Sequence, residues 1–473
     1  MRNTASRSRL TSPGPGILLA CAFILLGCGG LGVRTNPAIT AGDAGDAAPD
    51  SANDADTGNP APALLGAPLP FNATLRGFSL NAVVATGDPA VLRAHVRRAG
   101  AAIWGDPASA TVLGTDIAQW DFDGLAPGTR YEYEIFMTGD AGNTMLYSAS
   151  VVTQRQAGDS FTFALISDSH IGSHLAYSNQ GNPNTLKAVS ADVAAASPDF
   201  MIHLGDMLDF HEYGFNDPPP SGAITRLAYL NYRTLLGDTL GYTTHFATIG
   251  NWEGENGNYT SDELAWSQRQ RMLYLPGPAP TTYLESGSPG EDYYAFTWGD
   301  ALFIVLNVMS YTTTEHLLSS TNAGLPDDWT LGTAQFAWFA STLANATTKW
   351  RFLFIHHTVG GAAGDYLNSA YGRGGGQAAY VGEQAKVHQL MLQYGAQVFF
   401  YGHDHVFADM QVDGIHYTLP GSAGAIWNFT PAETGYSQSW PDPGWGRVTV
   451  SPGSVNVKFL KVGGGLLYEY TLP

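Results

Sequence analysis

Five apolar runs along the chain each stop at a polar tip. The runs 161–167, 200–204, 245–249, 350–355 and 397–401 are dense in Phe, Ile, Leu and Val. They are short, and turn residues bound several of them, so each reads as a buried strand. The tips that follow are Asp168-Ser169-His170, Gly205-Asp206 with Asp209 close behind, Gly250-Asn251-Trp252-Glu253, His356-His357, and Gly402-His403-Asp404-His405. If these strands share one sheet and one direction, their tips share an edge, and open α/β sheets bind ligands at that edge. Gly205 permits a sharp turn and a close approach of backbone at the tip that holds Asp206.

Between the runs, helical patterns are expected at 184–197, 223–238, 261–273, 333–345 and 378–395. The fourth carries an apolar stripe of Phe336, Trp338, Phe339 and Leu343 that should pack on a sheet. Strict alternation occurs in 79–84, 92–96 and 131–136, with turn signals at Gly87-Asp88-Pro89, Pro127-Gly128 and Gly139-Asp140. This predicts a small all-β sandwich over residues 70–155, beside the rim of the site or as a spacer. A catalytic domain is expected over 158–473. Its last strands, at 411–419, 446–450, 454–462 and 466–471, are expected to close a second sheet.

The tips are rich in Asp, His and Asn, which are ligands for Zn, Mn and Fe, and one aspartate can serve two ions. Two ions roughly 3.5–4 Å apart clamp the attacking and leaving oxygens of a phosphoryl displacement. The ordered series Asp-x-His, Gly-Asp-x-x-Asp, Gly-Asn-x-Glu, His-His, Gly-His-x-His resembles the calcineurin-like metallophosphoesterases. Over about residues 70–470 the layout resembles members of the purple acid phosphatase type, in which a small β-sandwich precedes the catalytic domain. The corner 124–131 resembles that of fibronectin type III-like domains, with Tyr131 placed like a tyrosine corner. The fold implied is α/β, a four-layer αββα sandwich preceded by a small all-β sandwich.

The resemblance implies a role for each position. Asp168, His170 and His405 would hold one metal, and Asn251, His356 and His403 a second. Asp206 would bridge both. The two ions, divalent or mixed-valence Fe, Mn or Zn, would acidify a water that acts as the nucleophile. His357 and Asp404 would orient ligands.

Two departures from the family pattern stand out. Trp252 occupies the place of the usual histidine that contacts phosphate and helps protonate the leaving group. An indole N–H only donates a hydrogen bond, and loss of general acid catalysis commonly costs ~10²–10⁴-fold. His174, His211 or His357 could substitute, although loop histidines are usually solvated. His203 and His245 read as structural, as does His388. Secondly, Asp209 stands where purple acid phosphatases carry a ligating tyrosine, so a tyrosinate-to-iron chromophore is not expected. Arg373, in a glycine-rich loop, offers a guanidinium fork for phosphate or is simply solvated.

Composition adds boundaries. A chain of 473 residues is too long for one ordinary core. A net charge of −19 argues against nucleic acid as a partner. Residues 1–28 have a basic start and an apolar stretch too short to span a membrane. They end in Leu25-Leu26-Gly27-Cys28, which resembles a bacterial lipobox, with an ordinary cleaved signal peptide as the alternative. Cys28 would be lipidated, placing the protein on the cell envelope, on the outer membrane and facing the periplasm or the surface, with the lipid as its sole membrane contact. Cys21 and Cys28 are the only cysteines, so the mature chain would have no intrachain disulfide. Residues 29–69, rich in Ala, Gly, Asp and Pro, read as an acidic disordered linker. The expected function is hydrolysis of a phosphomonoester or phosphodiester. The alternative is a tethered, metal-containing binding protein in which Trp252 marks lost catalysis.

Overall fold

In the computed structural model, residues 61–139, 142–173, 181–210, 222–255, 257, 260–288, 290, 292–311, 329–359 and 382–473 are described. Cys28 and the signal segment lie outside them, as do His174, His211 and Arg373.

Two six-stranded sheets face each other. The first runs, in spatial order, Thr244–Ala247, Phe200–His203, Phe161–Ile166, Gly444–Val450, Val455–Lys461, Gly465–Leu472. The second runs Tyr294–Trp298, Ala301–Val305, Trp350–Phe354, Val398–Phe400, Ile415–Pro420, Phe407–Val412. Alternation along the strands builds the layers. Phe161, Phe163 and Leu165 point between the sheets, where they join Phe200, Phe303, Phe352, Phe354 and Phe400. Their neighbours Ala164 and Ile166 point outward and pack with Leu186, Val189 and Val193 of the helix Pro183–Ala196. On the far side, Leu353 and Ile355 pack with Phe339 and Leu343 of Gly332–Asn345 and with Val387 and Met391 of Gly382–Tyr394. The result is the four-layer αββα order. The inter-sheet layer is largely phenylalanine: Phe163 stacks on Phe200 at 5.2 Å and meets Phe303 edge-on at 5.2 Å. Such pairs add to the burial energy of large apolar rings.

Three sequence expectations change. The five ligand-bearing strands do not share one sheet. Three of them, including the parallel pairs of Phe161–Ile166 with Phe200–His203 and of Phe200–His203 with Thr244–Ala247, lie in the first, and two lie in the second. The tips still meet, because both sheets present the same end to one rim. The strands from residue 444 onward extend the first sheet, with Gly444–Val450 antiparallel to Phe161–Ile166, and only the hairpin before them joins the second. The stretch expected as one strand at 411–419 is that hairpin. Its turn, Asp413-Gly414, has φ of 51° and 86°, and an Asp-Gly pair suits two positive φ values in a tight hairpin.

The third change concerns the sandwich. Residues 63–71, most of them expected in the linker, contribute two short strands that pair with Phe78–Thr86, and Leu69 is fully buried. The sandwich proper consists of a sheet around Phe78–Thr86 and a facing sheet of Ala108–Ser109, Leu92–Arg98, Arg130–Gly139 and Gly142–Val152. The Tyr131 hydroxyl accepts from Ala126 N at 2.9 Å, which closes the tyrosine corner. The described residues from 61 onward form one compact unit, and the sandwich is docked rather than strung alongside. Arg233, from the helix Gly222–Leu236, is buried at the joint. It donates to Asn81 Oδ1 (2.6 Å), Asn81 O (2.8 Å), Tyr274 O (2.8 Å) and Ala67 O (3.3 Å). Arg226 pairs with Asp116 at 2.6 Å on the same seam.

Candidate metal centre

The strand tips bring the predicted residues together. Ligand-type atoms of Asp168, His170, Asp206 and His405 lie within 4.8 Å of one another, and so do those of Asp206, His356 and His403. Asp206 belongs to both groups. Asn251 completes the second, its Oδ1 3.0 Å from His356 Nε2 and 3.1 Å from His403 Nδ1. All of these side chains are buried.

The backbone beneath them is unusual in a way that explains the motifs. Asp168, His170, Asp206, His403 and His405 all have positive φ, between 49° and 76°. Side-chain-bearing residues seldom adopt that region, and such conformations gather at functional sites. The glycines in the motifs allow the tips to close up. A Cβ on Gly205 would stand 2.7 Å from the His356 ring, one on Gly250 would meet Asp206 N at 2.2 Å, and one on Gly402 would meet Ser167 Oγ at 2.3 Å.

The donor set fits a cation. His356 Nδ1 donates to Leu204 O at 2.7 Å, so its Nε2 presents a lone pair when the ring is neutral. That lone pair faces Asp206 Oδ2 at 3.1 Å and Asn251 Oδ1 at 3.0 Å, both acceptors. His405 repeats the arrangement: Nδ1 donates to Trp427 O at 2.8 Å, and Nε2 faces Asp168 Oδ1 at 3.5 Å and His170 Nε2 at 3.2 Å. Acceptors that converge without protons between them need positive charge. The titration of the protein groups alone expresses the same need. Burial would lower the His356 pKa, but Asp206, Asp168 and Glu253 outweigh it and raise it to about 9. Burial would raise Asp206, but His356, His170 and His405 hold it down to about 2. Burial raises Asp168 to about 6, against the pull of His405 and His356. An all-nitrogen-and-oxygen set of this kind suits Fe, Mn or Zn.

Main-chain carbonyls of Leu204 and Trp427 fix the rings of His356 and His405. Asp404 accepts from the Tyr436 hydroxyl at 2.6 Å. His357 packs between Trp329 (4.5 Å) and His403 (4.5 Å), and its Nδ1 bonds to Thr358 O at 2.7 Å. Trp252 acts here through its backbone: its main-chain N–H donates to Asp206 Oδ1 at 2.9 Å, while its ring stands edge-on to His170 at 5.4 Å. Asp209 is buried and lies outside both ligand groups. His203 bonds to Ser169 Oγ at 2.6 Å, His245 to Tyr232 OH at 3.2 Å, and His388 to Tyr417 OH at 2.7 Å, all in structural settings.

Two groups of residues were not singled out from the sequence. Glu253 is fully buried and accepts from the N–H groups of Met207 (2.5 Å), Gly250 (2.5 Å), Asp206 (3.1 Å) and Leu208 (3.2 Å). It holds the Asp206 loop against the Asn251 loop, and its place in Gly-Asn-x-Glu was the available signal. Trp427 and Phe429 line the site from a segment with no motif. Trp427 lies 4.6 Å from the His405 ring and 5.2 Å from His170, and Phe429 lies 5.6 Å from His403.

A paired Asp/His/Asn centre at the common rim of two stacked sheets defines a metallophosphoesterase-type fold and site. The family profile for calcineurin-like phosphoesterases matches residues 161–407, more than half of the chain, and the chain belongs to that family. Among solved structures it is similar to purple acid phosphatase PPD1 from yellow lupin (Lupinus luteus) seeds. The identity is 13% and the TM-score 0.60, over 86% of this chain and 74% of that one, a likeness of fold. Weaker matches include GAP50, the anchor in the inner membrane complex of Plasmodium, at 13% identity, TM-score 0.42, 66% of this chain and 88% of that one. Another is a fibronectin type III domain of human collagen XX, at 18% identity, TM-score 0.15, 23% of this chain and all of that one. No curated protein matches the chain in sequence.

Proposed function

We propose that the protein is a dinuclear-metal phosphoesterase that hydrolyses a phosphomonoester or phosphodiester. The observation that carries this is the position of Asp206, whose Oδ2 lies 3.1 Å from His356 Nε2 and 3.6 Å from His170 Nε2, common to both ligand groups. Asp168, His170 and His405 would hold one ion; Asn251, His356 and His403 the other. When bound, the ions would polarise the phosphoryl group and supply the nucleophile. The chain's own contribution is to fix the donors before substrate arrives. Glu253 and the Trp252 N–H set the Asp206 carboxylate, the Leu204 and Trp427 carbonyls set two imidazoles, and burial keeps bulk water from competing. Trp252 has no proton to exchange with a leaving group, so the reading favours substrates whose leaving group departs without help.

The test is hydrolysis of an aryl phosphate monoester and the matching diester by the full chain loaded with Mn, Zn or Fe in turn. Turnover that needs metal and disappears in Asp206→Asn is expected. Bound metal with no turnover under any loading would favour the second reading, a metal-containing binding protein, which the presence of Trp252 supports. Attachment to the cell envelope through a lipidated Cys28 is part of the same proposal, and rests on the sequence of residues 1–28. Labelling of the expressed protein with a fatty-acid probe, lost in Cys28→Ala, tests it.

A further inference from the structure

Among the described residues, aromatic rings stand beside the centre. Asp168 and Asp206 pair there with His405, His170 and His356. Of the described side chains, Trp252, Trp427 and Phe429 stand against the ligating imidazoles, as does the His357 ring. Trp252 is almost fully covered, whereas Trp427 and Phe429 are half-buried.

The segment carrying the two half-buried rings is anchored. His405 Nδ1 donates to Trp427 O, the Asn428 side-chain amide donates to His405 O, and Phe429 N donates to Asp404 O at 3.2 Å. Just before it, Ala425 N donates to Asp168 O at 2.9 Å, and Ser422 Oγ donates to the same carbonyl at 3.0 Å. Gly424 lies so close over Ser169 that a Cβ there would meet Ser169 O at 2.3 Å. The chain from Ser422 to Phe429 is therefore tied to both ligand tips. Aromatic side chains held this way offer contact area with little entropy left to lose on binding.

We infer that Trp427, supported by Phe429, selects phosphoesters whose esterifying group carries an aromatic ring, by stacking that ring while the phosphoryl group occupies the centre. This rests on the phosphoesterase reading and names its substrate class. Aromatic pairing is favourable in offset or edge-on geometry, and a planar base or aryl group offers the same π-face. Trp427 is a specificity residue in two parts. Its carbonyl positions His405 and survives any substitution, while its ring is free to be changed.

The probes are methylphosphonate, cyclohexylphosphonate and phenylphosphonate, which share the anionic head and cannot be hydrolysed. Their binding to the metal-loaded full chain would be measured by calorimetry. Phenylphosphonate is expected to bind about tenfold tighter than methylphosphonate, a preference within the range of aromatic pairing and ring burial. Cyclohexylphosphonate, similar in size but not planar, should gain much less. Trp427→Leu should bring the phenyl-to-methyl ratio close to one, and Trp427→Phe should restore most of it, with metal content of both variants matched to wild type. Equal affinity for the phenyl and cyclohexyl probes, or a ratio unmoved in Trp427→Leu, overturns the inference and leaves the phosphoesterase reading standing. Failure of all three probes and of inorganic phosphate to bind overturns both. Nucleoside 5′-phosphate and aryl phosphate, compared as competitors of phenylphosphonate, would then separate a nucleobase from a simple aryl group as the ring's source.

Discussion

Asp206 and Trp252 are joined by a 2.9 Å hydrogen bond from the main-chain N–H of Trp252 to Asp206 Oδ1. The residue that departs from the family pattern therefore still supports the shared carboxylate, because the supporting group is backbone. Substituting its side chain tests chemistry without removing that support. Trp252→His is expected to raise monoester turnover by about 10²-fold by returning an acid to the position. A change smaller than about threefold in steady-state kinetics would show that this position does not limit catalysis.

Glu253 holds four backbone N–H groups from two loops. An amide in its place offers one oxygen and one competing donor. Glu253→Gln is expected to destabilise the protein by about 2–3 kcal/mol and to weaken metal binding 10–100-fold, the usual effect of losing an orienting group. Denaturant titration and metal competition with a chelator check the two numbers separately.

Gly205 has a φ of 87° and faces the His356 ring. Gly205→Ala combines a backbone penalty of about 1–2 kcal/mol with a clash that displaces His356. Loss of metal from the second group is expected before loss of the fold. Metal stoichiometry alongside circular dichroism distinguishes the two.

The joint between sandwich and catalytic domain hinges on Arg233, whose guanidinium serves four acceptors in a buried seam. Burial lowers its pKa to about 9, yet the surrounding acceptors keep a use for its charge. Arg233→Ala strands these acceptors and should cost about 3 kcal/mol or more. A denaturation curve that splits into two transitions would show the sandwich separating first. An unchanged midpoint would mean that water replaces the guanidinium.

Proton linkage at the centre has a definite sign. In the metal-free protein, the His356 pKa is raised to about 9 and that of Glu253 to about 8, the latter chiefly by burial and by Asp206. At these two groups the folded state binds more protons than the unfolded one up to about pH 9, so their contribution to stability falls as pH rises. The chelated protein should lose melting temperature across the window from about pH 6.5 to 9. The same proton must leave His356 when a metal binds, so metal affinity should rise over it. Thermal melts at pH 6.5 and 9 should therefore show a fall in the chelated protein and little change in the metal-loaded one, so that the gap between them widens with pH.

Much of the centre was legible in the sequence because its chemistry is written at strand ends. Asp168, His170, Asp206, Asn251, His356, His403 and His405 each follow an apolar run or a motif glycine, and five helices lie close to where periodicity put them. Glu253 was visible as a motif residue but not as a brace, since three of its four partners are backbone groups of another loop. Trp427 and Phe429 had no signal at all, because a ring some twenty residues from His405 becomes part of the site only when the chain folds back.

The sequence alone determined which side chains carry charge and lone pairs, which runs are strands, and where glycine lets backbones touch. These are local properties, set by residue type and by period. Only the tertiary structure decided that the tips come from two sheets rather than one, that the last three strands extend the first sheet, and that the sandwich is clamped by Arg233. Those outcomes depend on which apolar faces find one another across long separations. Strand alternation says that a face is buried, but the packed core decides against what.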